Sequence, residues 1–200
     1  MKNIHYHKRT IGRKHKEKAN GHKGCAIWLT GLSGSGKSTI ANKLEKMLHK
    51  SGHSTIILDG DNLRTGINSD LGFSKKDRAE NVRRTGEIAR MLADNGQIAI
   101  ASLISPFRRD RDRVRSRMKK GDFIEVHIHC DAEVCEARDP KGLYRKARSG
   151  KIGNFTGISS GYEPPLKPEI SLDTTLAGPI ECADVIYRYL KRHGYAAGKR

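Results

Sequence analysis

The sequence contains no long hydrophobic run. No apolar stretch approaches the roughly 20 residues that a membrane-spanning helix needs, and the N-terminal residues carry no apolar segment of the secretory type. Cysteine is also sparse, since the four cysteines are widely spaced and form no C-x-x-C pair. Such usage is typical of a reducing compartment. We therefore expect a cytoplasmic chain with free thiols and no membrane partner.

Internal repeats and low-complexity linkers are missing as well. A chain of 200 residues is long enough to bury one core and short enough to form a single domain. The composition, 36% hydrophobic and 30% charged, is polar for a globular enzyme but is not that of a disordered chain. We expect one folded domain.

Acidic residues are scarce relative to basic ones, which leaves a formal net charge of +17. Residues 1–23 hold eight Lys or Arg and one Glu, and residues 108–120 hold eight Lys or Arg and two Asp. Such segments can bind nucleic acid, but the second has no interleaved aromatic residues on which bases could stack. A solvated arm and a solvated helix face are the favoured interpretation, and nucleic-acid binding is the alternative.

Residues 31–38, GLSGSGKS, follow the phosphate-binding pattern G-x-x-x-x-G-K-[ST]. An apolar run precedes the pattern and a helical period follows it, which is the context that this motif requires. The glycines let backbone N–H groups surround an anion, and the helix N-terminus adds its positive dipole end. Lys37 is expected to reach the β- and γ-phosphates, and the Ser38 hydroxyl is expected to hold Mg²⁺.

Strands and helices alternate along the rest of the chain. Strands are predicted at 25–30, 54–58, 98–104 and 123–130, and helices at 37–49, 75–95, 108–119, 131–138 and 180–192. This order predicts an α/β fold, a three-layer P-loop NTPase-type parallel sheet with helices on both faces.

The predicted organisation has three parts. A basic N-terminal arm covers residues 1–22, a P-loop kinase domain covers 23–195, and a tail covers 196–200. Within the domain, the stretch at about 139–165 is rich in Gly, Lys and Arg and is expected to be a mobile lid. Ligands bind beyond the carboxyl ends of parallel strands. The segments after the first three strands are therefore expected to converge on one cleft.

A phosphate-binding loop alone does not separate kinases from GTPases and motor ATPases. The sequence has no N-K-x-D run for guanine and no long apolar strand that ends in Asp-Glu. The short chain and its basic segment at 141–151 favour a small-molecule kinase, in which a closing lid excludes water.

Several short runs then resemble the adenylylsulfate kinase family. Besides the phosphate loop they are LDGDNLR at 58–64, LGFS at 71–74, RAENVRR at 78–84, ISP at 104–106, KGLY at 141–144 and NFTGI at 154–158. NGHKG at 20–24 is similar to the lead-in of that family. The resemblance covers about residues 20–190. It implies transfer of the γ-phosphate of ATP, with Mg²⁺, to the 3′-hydroxyl of adenosine 5′-phosphosulfate (APS), which gives 3′-phosphoadenylyl sulfate. It also implies a homodimer.

The motif and the resemblance together imply two nucleotide sites. The residues implied for ATP are Gly31, Leu32, Ser33, Gly34, Ser35, Gly36, Lys37, Ser38, Thr39, Arg148 and Ala177. The residues implied for APS are Asp61, Asn62, Arg64, Phe73, Arg78, Asn81, Ile104, Ser105, Lys141, Asn154 and Phe155. Catalytic roles fall to Lys37, Asp61 and Ser105, and Ser38 is the metal ligand.

Three of these assignments have alternatives. Phe73 and Phe155 are implied to sandwich the acceptor adenine, against ordinary core packing. Asp61 is expected at the end of the second strand, facing the phosphate loop, and is implied to orient or deprotonate the ribose hydroxyl or to bind Mg²⁺ through water. Asp59 is its rival on the same side of an extended chain, and a turn or cap role is the plainer alternative. Ser105 corresponds to the family's described phosphoenzyme serine, but no His stands near it in sequence, so we expect it to position the acceptor.

Two further features leave questions open. Residues 156–163 read TGISSGYE where the family commonly has Thr-Gly-Ile-Asp followed by x-Pro-Tyr-Glu, so a looser lid hinge is expected. His127 and His129 alternate along a strand, and a strand-surface pair is favoured over a metal site. The alternative functions are another small-molecule P-loop kinase and a nucleic-acid-binding regulator that uses ATP.

Overall fold

A computed structural model describes residues 5, 7 and 10–196. Within this part of the chain, five parallel strands form one sheet in the order β2-β3-β1-β4-β5. The strands are β1 (Cys25–Thr30), β2 (Thr55–Asp59), β3 (Ile98–Ser102), β4 (Phe123–His129) and β5 (Ile170–Asp173). The helices are α1 (Arg13–Asn20), α2 (Lys37–Lys50), α3 (Gly60–Arg64), α4 (Lys75–Asp94), α5 (Arg108–Ser116), α6 (Ala132–Arg138), α7 (Leu143–Arg148) and α8 (Pro179–Arg192).

The central strand carries the core on both of its faces. Every residue of β1 is buried. Cys25, Ile27 and Leu29 face a cluster that includes α2 and α8, while Ala26 and Trp28 face a second cluster with α4 and α5. Successive side chains of a strand point to opposite faces, and a strand covered on both faces reads as a continuous apolar run. The predicted three-layer sheet is confirmed.

Helix α1 lies where the sequence predicted an arm or a loosely docked segment. The helix has no buried residue, so it leaves no apolar period in the sequence. Polar contacts fix it instead: Arg13 donates to the carbonyl of Gly24 at 2.7 Å and to Asp122 Oδ1 at 2.9 Å, and Asn20 donates to the carbonyl of Gly96 at 2.8 Å. The segment around α1 is therefore docked on the sheet.

Other differences from the prediction concern short elements. Strand β5 was not predicted, because four residues after a proline-rich stretch carry little signal, yet it pairs with β4 along its length. The predicted tail at 196–200 lies outside the described residues apart from Ala196, as do residues 1–4, 6, 8 and 9 of the predicted arm. Among the described helices, none combines the length and the apolar composition that a bilayer crossing requires.

The exits of the first three strands meet at the carboxyl edge of the sheet, as predicted. Thr30 Oγ1 at the end of β1 donates to the carbonyl of Ile104 beyond β3, at 2.8 Å. Ser38 Oγ at the start of α2 donates to Asp59 Oδ2 at the end of β2, at 2.7 Å. Segments that are distant in sequence thus share one cleft.

Candidate active site

The phosphate loop has the backbone that its glycines predict. Gly34 and Gly36 have φ values of +79° and +93°, in the left-handed region that favours glycine. A Cβ on Gly34 would lie 2.7 Å from the carbonyl oxygen of Cys135, so the close approach of α6 also requires glycine. Lys37 Nζ donates to the carbonyl of Leu32 at 2.6 Å, on the inside of the loop. The loop thus places one buried cation beside its glycine-rich backbone.

Lys37 is shielded from solvent, with 8% of its surface exposed. Burial disfavours the charged ammonium and lowers the pKa of Lys37 from 10.5 to about 8, while Asp59 and Asp61 act in the opposite direction. A buried ammonium with few anionic neighbours is suited to bind a polyphosphate.

The structure separates the two aspartates of the DGD run. Asp59 is the N-cap of α3 and accepts the backbone N–H of Asp61 at 3.0 Å, and its other oxygen accepts the Ser38 hydroxyl. Asp61 lies in the first turn of α3, with its carboxylate bonded to the ammonium of Lys141. The expectation that both carboxylates lie on one side of an extended chain, with Asp61 facing the phosphate loop, is wrong because the chain turns into a helix at Gly60. Asp59 is the carboxylate that reaches the loop.

Oxygen donors for a divalent ion are present at this point. The Ser38 hydroxyl, the Asp59 carboxylate and the Ser102 hydroxyl form a chain with donor–acceptor distances of 2.7 Å and 3.3 Å. Hydroxyl and carboxylate oxygens are the donors that Mg²⁺ prefers. The residues therefore fit the metal that a phosphate-binding loop carries.

Arginines surround the exposed ring of Phe73. The Arg64 guanidinium lies 4.5 Å from the ring centroid and donates to the carbonyls of Leu71 and Gly72. Arg78 donates to the carbonyl of Phe73 at 3.0 Å and to that of Asn154 at 2.8 Å, so it joins two distant loops. Desolvation lowers the pKa of both guanidiniums, and Arg64 adds to that effect at Arg78.

Phe155 has a different environment from Phe73. Phe155 is 5% exposed and packs edge-on against Tyr144, with ring centroids 4.9 Å apart, in a cluster with Cys130 and Cys135. Phe73 is 54% exposed. Core packing therefore describes Phe155 in this structure. A stacking role for Phe155 requires the 139–165 segment to move.

Ser105 is held in a buried polar setting. It is 3% exposed and has a φ of +39°, which is unusual for a residue with a side chain. Its Oγ accepts the indole N–H of Trp28 at 3.0 Å, and its carbonyl accepts from Arg111 at 2.6 Å. Among the described residues, its own hydroxyl donates to the carbonyl of Leu103, at 3.5 Å, which is not a base. These contacts favour positioning over nucleophilic attack.

The remaining implied residues fall into two groups. On the APS side, Asn62 is exposed in the first turn of α3, and Asn81 is buried and accepts from Asn68 at 2.8 Å; Thr39, implied for ATP, is exposed in the first turn of α2. On the ATP side, Arg148 forms a two-point contact with Glu136 at 2.9 Å and 2.8 Å, and Ala177 is half-buried against the core. The Arg148 guanidinium is thus engaged by α6.

The 139–165 segment is fastened at both ends. Tyr144, 2% exposed, donates its hydroxyl to the carbonyl of Ser33 in the phosphate loop at 3.0 Å. At the other end the N–H of Glu163 donates to the carbonyl of Pro106 at 2.8 Å. Ser159, at the position where the family commonly has an acid, accepts the N–H of Phe155 at 2.9 Å. This hydrogen bond closes the turn that the departure was expected to loosen.

Three contributors escaped the sequence analysis: Trp28, Tyr144 and Arg111. In the sequence, Trp28 looks like an ordinary core residue of a strand, and Tyr144 belongs to the KGLY run without any role of its own. Arg111 lies in the basic run that was predicted to be a solvated helix face, yet only 1% of its surface is exposed. That part of the prediction is wrong, because α5 turns Asp110, Arg111 and Val114 inward. No local signal in the run of charged residues distinguishes Arg111 from its exposed neighbours.

The paired histidines on β4 also differ from a plain surface pair. The rings of His127 and His129 lie 5.9 Å apart, and His127 stacks against Tyr162. Burial lowers the pKa of the half-buried His127. Across the described ranges, no three His, Cys, Asp or Glu side chains gather as a metal-binding set.

Comparisons with known proteins agree with this geometry. A family model described as adenylylsulphate kinase matches residues 23–173. The chain is 54% identical over 196 residues to the chloroplastic adenylyl-sulfate kinase of Catharanthus roseus and 53% identical over 191 residues to the adenylyl-sulfate kinase of Clostridium acetobutylicum, with 96% of this chain covered in each case. It spans 63% of the length of the plant protein and 95% of the bacterial one.

A solved relative is similar throughout the fold. The APS kinase of Mycobacterium tuberculosis, in complex with AMPPNP and APS, superposes with a TM-score of 0.81 at 44% identity. The superposition covers 85% of this chain and 99% of the other.

Proposed function

The chain belongs to the adenylylsulfate kinase family, and from that membership we propose that it transfers the γ-phosphate of ATP to the 3′-hydroxyl of APS, giving 3′-phosphoadenylyl sulfate and ADP. One observation carries the proposal beyond the family name. A complete phosphate loop and a pocket of arginines around an exposed phenylalanine lie at the same edge of one parallel sheet. Two nucleotides can therefore meet end to end.

The phosphate loop binds the donor. Backbone N–H groups of residues 31–38 and the ammonium of Lys37 surround the β- and γ-phosphates of ATP. Ser38 and Asp59 would hold Mg²⁺, which neutralises charge on the phosphates when bound. Tyr144 ties the 139–165 segment to the phosphate loop through its hydrogen bond to the carbonyl of Ser33.

The arginine pocket binds the acceptor. Arg64 and Arg78 suit the phosphosulfate because guanidinium forks match tetrahedral oxyanions, and the exposed ring of Phe73 offers a face to adenine. In transfer, the 3′-oxygen forms a bond to the γ-phosphorus as the bond from that phosphorus to the β,γ-bridging oxygen breaks. Asp61 accepts the hydroxyl proton, and the contact with Lys141 orients its carboxylate.

The two aspartates should respond differently to neutralisation. We expect Asp59→Asn to raise the Mg²⁺ concentration for half-maximal rate by about 10-fold, because its carboxylate contacts the metal-binding hydroxyl. Asp61→Asn should instead lower kcat by about 10²-fold with an unchanged Mg²⁺ requirement. Initial rates over a Mg²⁺ titration separate the two, with the exposed Asp112→Asn on α5 as control. Equal shifts in the Mg²⁺ requirement would contradict the division of roles.

The lowered pKa of Lys37 predicts proton uptake on ATP binding. Above pH 8 the free enzyme holds Lys37 mostly neutral. Bound phosphate favours the ammonium and raises its pKa, so binding takes up a proton and ATP affinity falls as the pH rises from 8 towards 10.5. Calorimetry at about pH 9 in two buffers of different ionisation enthalpy measures this. Lys37→Met should show no proton uptake. If the unaltered protein takes up no proton when it binds ATP, the expectation is refuted.

A direct assay tests the function. Purified protein should release ADP from ATP and Mg²⁺ only when APS is added, with a phosphorylated nucleotide as the second product. A panel of sugar acids and nucleosides tests for another small-molecule kinase, and a salt-titrated RNA and DNA binding assay tests for a nucleic-acid regulator. ADP release that does not depend on APS would overturn the proposal.

Assembly and location are further expectations. The homodimer implied by the resemblance stays a prediction, which sedimentation velocity of the purified chain can test. The cytoplasmic location suggested by the cysteine pattern also stays a prediction.

A further inference from the structure

Arg111 is a buried arginine with three separate partners. It is 1% exposed, on the inner face of α5. Its Nε donates to Glu125 Oε1 at 2.7 Å, its Nη1 donates to the carbonyl of Ser105 at 2.6 Å, and its Nη2 donates to the carbonyl of Glu163 at 2.8 Å. One planar guanidinium thus joins β4, the exit of β3 and the end of the 139–165 segment.

Arg111 shares its acidic partner, Glu125, with a second arginine, Arg115. Glu125, on β4, also accepts from Arg115 at 3.1 Å, and Arg115 continues to Glu169 at 2.5 Å and 2.9 Å. Arg115 is partly exposed and donates to carboxylates and to the carbonyl of Phe123. Both arginines therefore bind Glu125, but of the two it is Arg111 that donates to the carbonyls of Ser105 and Glu163.

The two carbonyls that Arg111 holds belong to a residue with an unusual backbone conformation and to the end of the 139–165 segment. Ser105 has a positive φ, and that conformation costs about 1–3 kcal/mol unless its surroundings impose it. Glu163 ends the segment expected to close over the nucleotides, where its N–H and carboxylate also bond to Pro106 and Arg108. A buried ion pair contributes little net stability by itself, so its rigid geometry is the more informative property.

We propose that Arg111 is a positioning residue for the acceptor: it fixes the backbone of Ser105 and the end of the 139–165 segment in one arrangement, so that APS is bound with its 3′-hydroxyl in line with ATP. This inference rests on the proposed function. Arg111 touches neither nucleotide in this scheme and acts through Ser105 and Glu163. Lysine at the position keeps the charge opposite Glu125 but lacks the fork needed to reach both carbonyls.

The chain contains its own reporter of Ser105. Trp28 is the only tryptophan, and its buried indole N–H donates to Ser105 Oγ. The ¹⁵N–¹H signal of that indole therefore reports the Ser105 position without any substrate. A change in this signal is independent of whether the protein is an APS kinase.

Arg111→Lys should be compared with Arg115→Lys, which disturbs the same acid but neither carbonyl. We expect Arg111→Lys to shift or broaden the Trp28 indole signal and to lower kcat/KM for APS by about 10²-fold, with the KM for ATP within about twofold. Arg115→Lys should leave kcat/KM for APS close to that of the unaltered protein; only this kinetic readout is compared, because the Arg115 guanidinium lies over the Phe123 ring, which packs against Trp28. An unchanged indole signal, or equal losses for both substrates, would overturn the proposal.

A second variant covers the case in which Arg111→Lys does not fold. The double substitution Arg111→Met with Glu125→Met removes the buried pair together and keeps the volume filled, while Arg115 retains Glu169. The same indole shift and the same selective loss for APS are expected. An unaltered protein that lacks APS-dependent activity would instead refute the proposed function, and the indole comparison would still decide the role of Arg111.

Discussion

Lys37→Ala should lower kcat/KM for ATP by about 10³-fold, which corresponds to roughly 4 kcal/mol of lost transition-state stabilisation. Lys37 is the buried cation inside the phosphate loop, and its ammonium is bonded only to uncharged oxygens there. Charge that builds on the transferring phosphoryl group is therefore stabilised mainly by this residue and Mg²⁺. Initial rates at saturating APS measure the effect.

The loss should not come from unfolding. The folded-state pKa of Lys37 lies below its ordinary value, so the fold disfavours the charged lysine at pH 7, and this cost disappears as the pH rises from 8 to 10.5. Removing the ammonium should leave thermal stability at pH 7 equal or higher. Lys43→Ala, on the exposed face of the same helix, is the matched control and should retain full activity. Normal turnover by Lys37→Ala would refute the phosphate assignment.

The features that could be predicted from the sequence are mostly those that short contiguous stretches of residues determine. The glycines and Lys37 of residues 31–38 lie between a buried strand and an amphipathic helix, so local pattern alone predicts both the loop and its ligand. Continuous apolar runs such as that of β1 predict a sheet covered on both faces, and the alternation of elements predicts that it is parallel. The acceptor site was predicted from the family resemblance, because the runs that contain Phe73 and Arg78 show no local pattern that indicates a ligand.

The parts that sequence reasoning missed depend on tertiary geometry. Asp59 and Asp61 were expected on one side but contact different partners, because a helix begins between them. Phe155 is buried because α7 brings Tyr144 against it. Arg111 is indistinguishable in the basic run from its exposed neighbours until the helix is placed on β4, where Glu125 makes burial of a charge tolerable. No local period carries this information.

Arg78→Ala should raise the KM for APS by about 10²-fold and leave the KM for ATP within about threefold. The expectation combines two losses. The variant removes a guanidinium expected to contact the anionic phosphosulfate, since a hydrogen bond to a charged group contributes about 1.5–3 kcal/mol. It also removes the link between the Phe73 carbonyl and the Asn154 carbonyl, so the exposed ring and the 139–165 segment lose their common anchor.

The selectivity of the Arg78 effect is the more demanding part of the expectation. Arg78 lies on the acceptor side of the cleft, where its contacts run to loops 71–74 and 154–158 and not to the phosphate loop. Arg83→Ala, five residues further along the same helix, removes a half-exposed arginine paired with Glu80 and should change neither KM. Steady-state kinetics with each substrate varied in turn make the comparison. An equal rise in KM for ATP and for APS would give Arg78 a structural role common to both sites. It would contradict the assignment of Arg78 to the acceptor site.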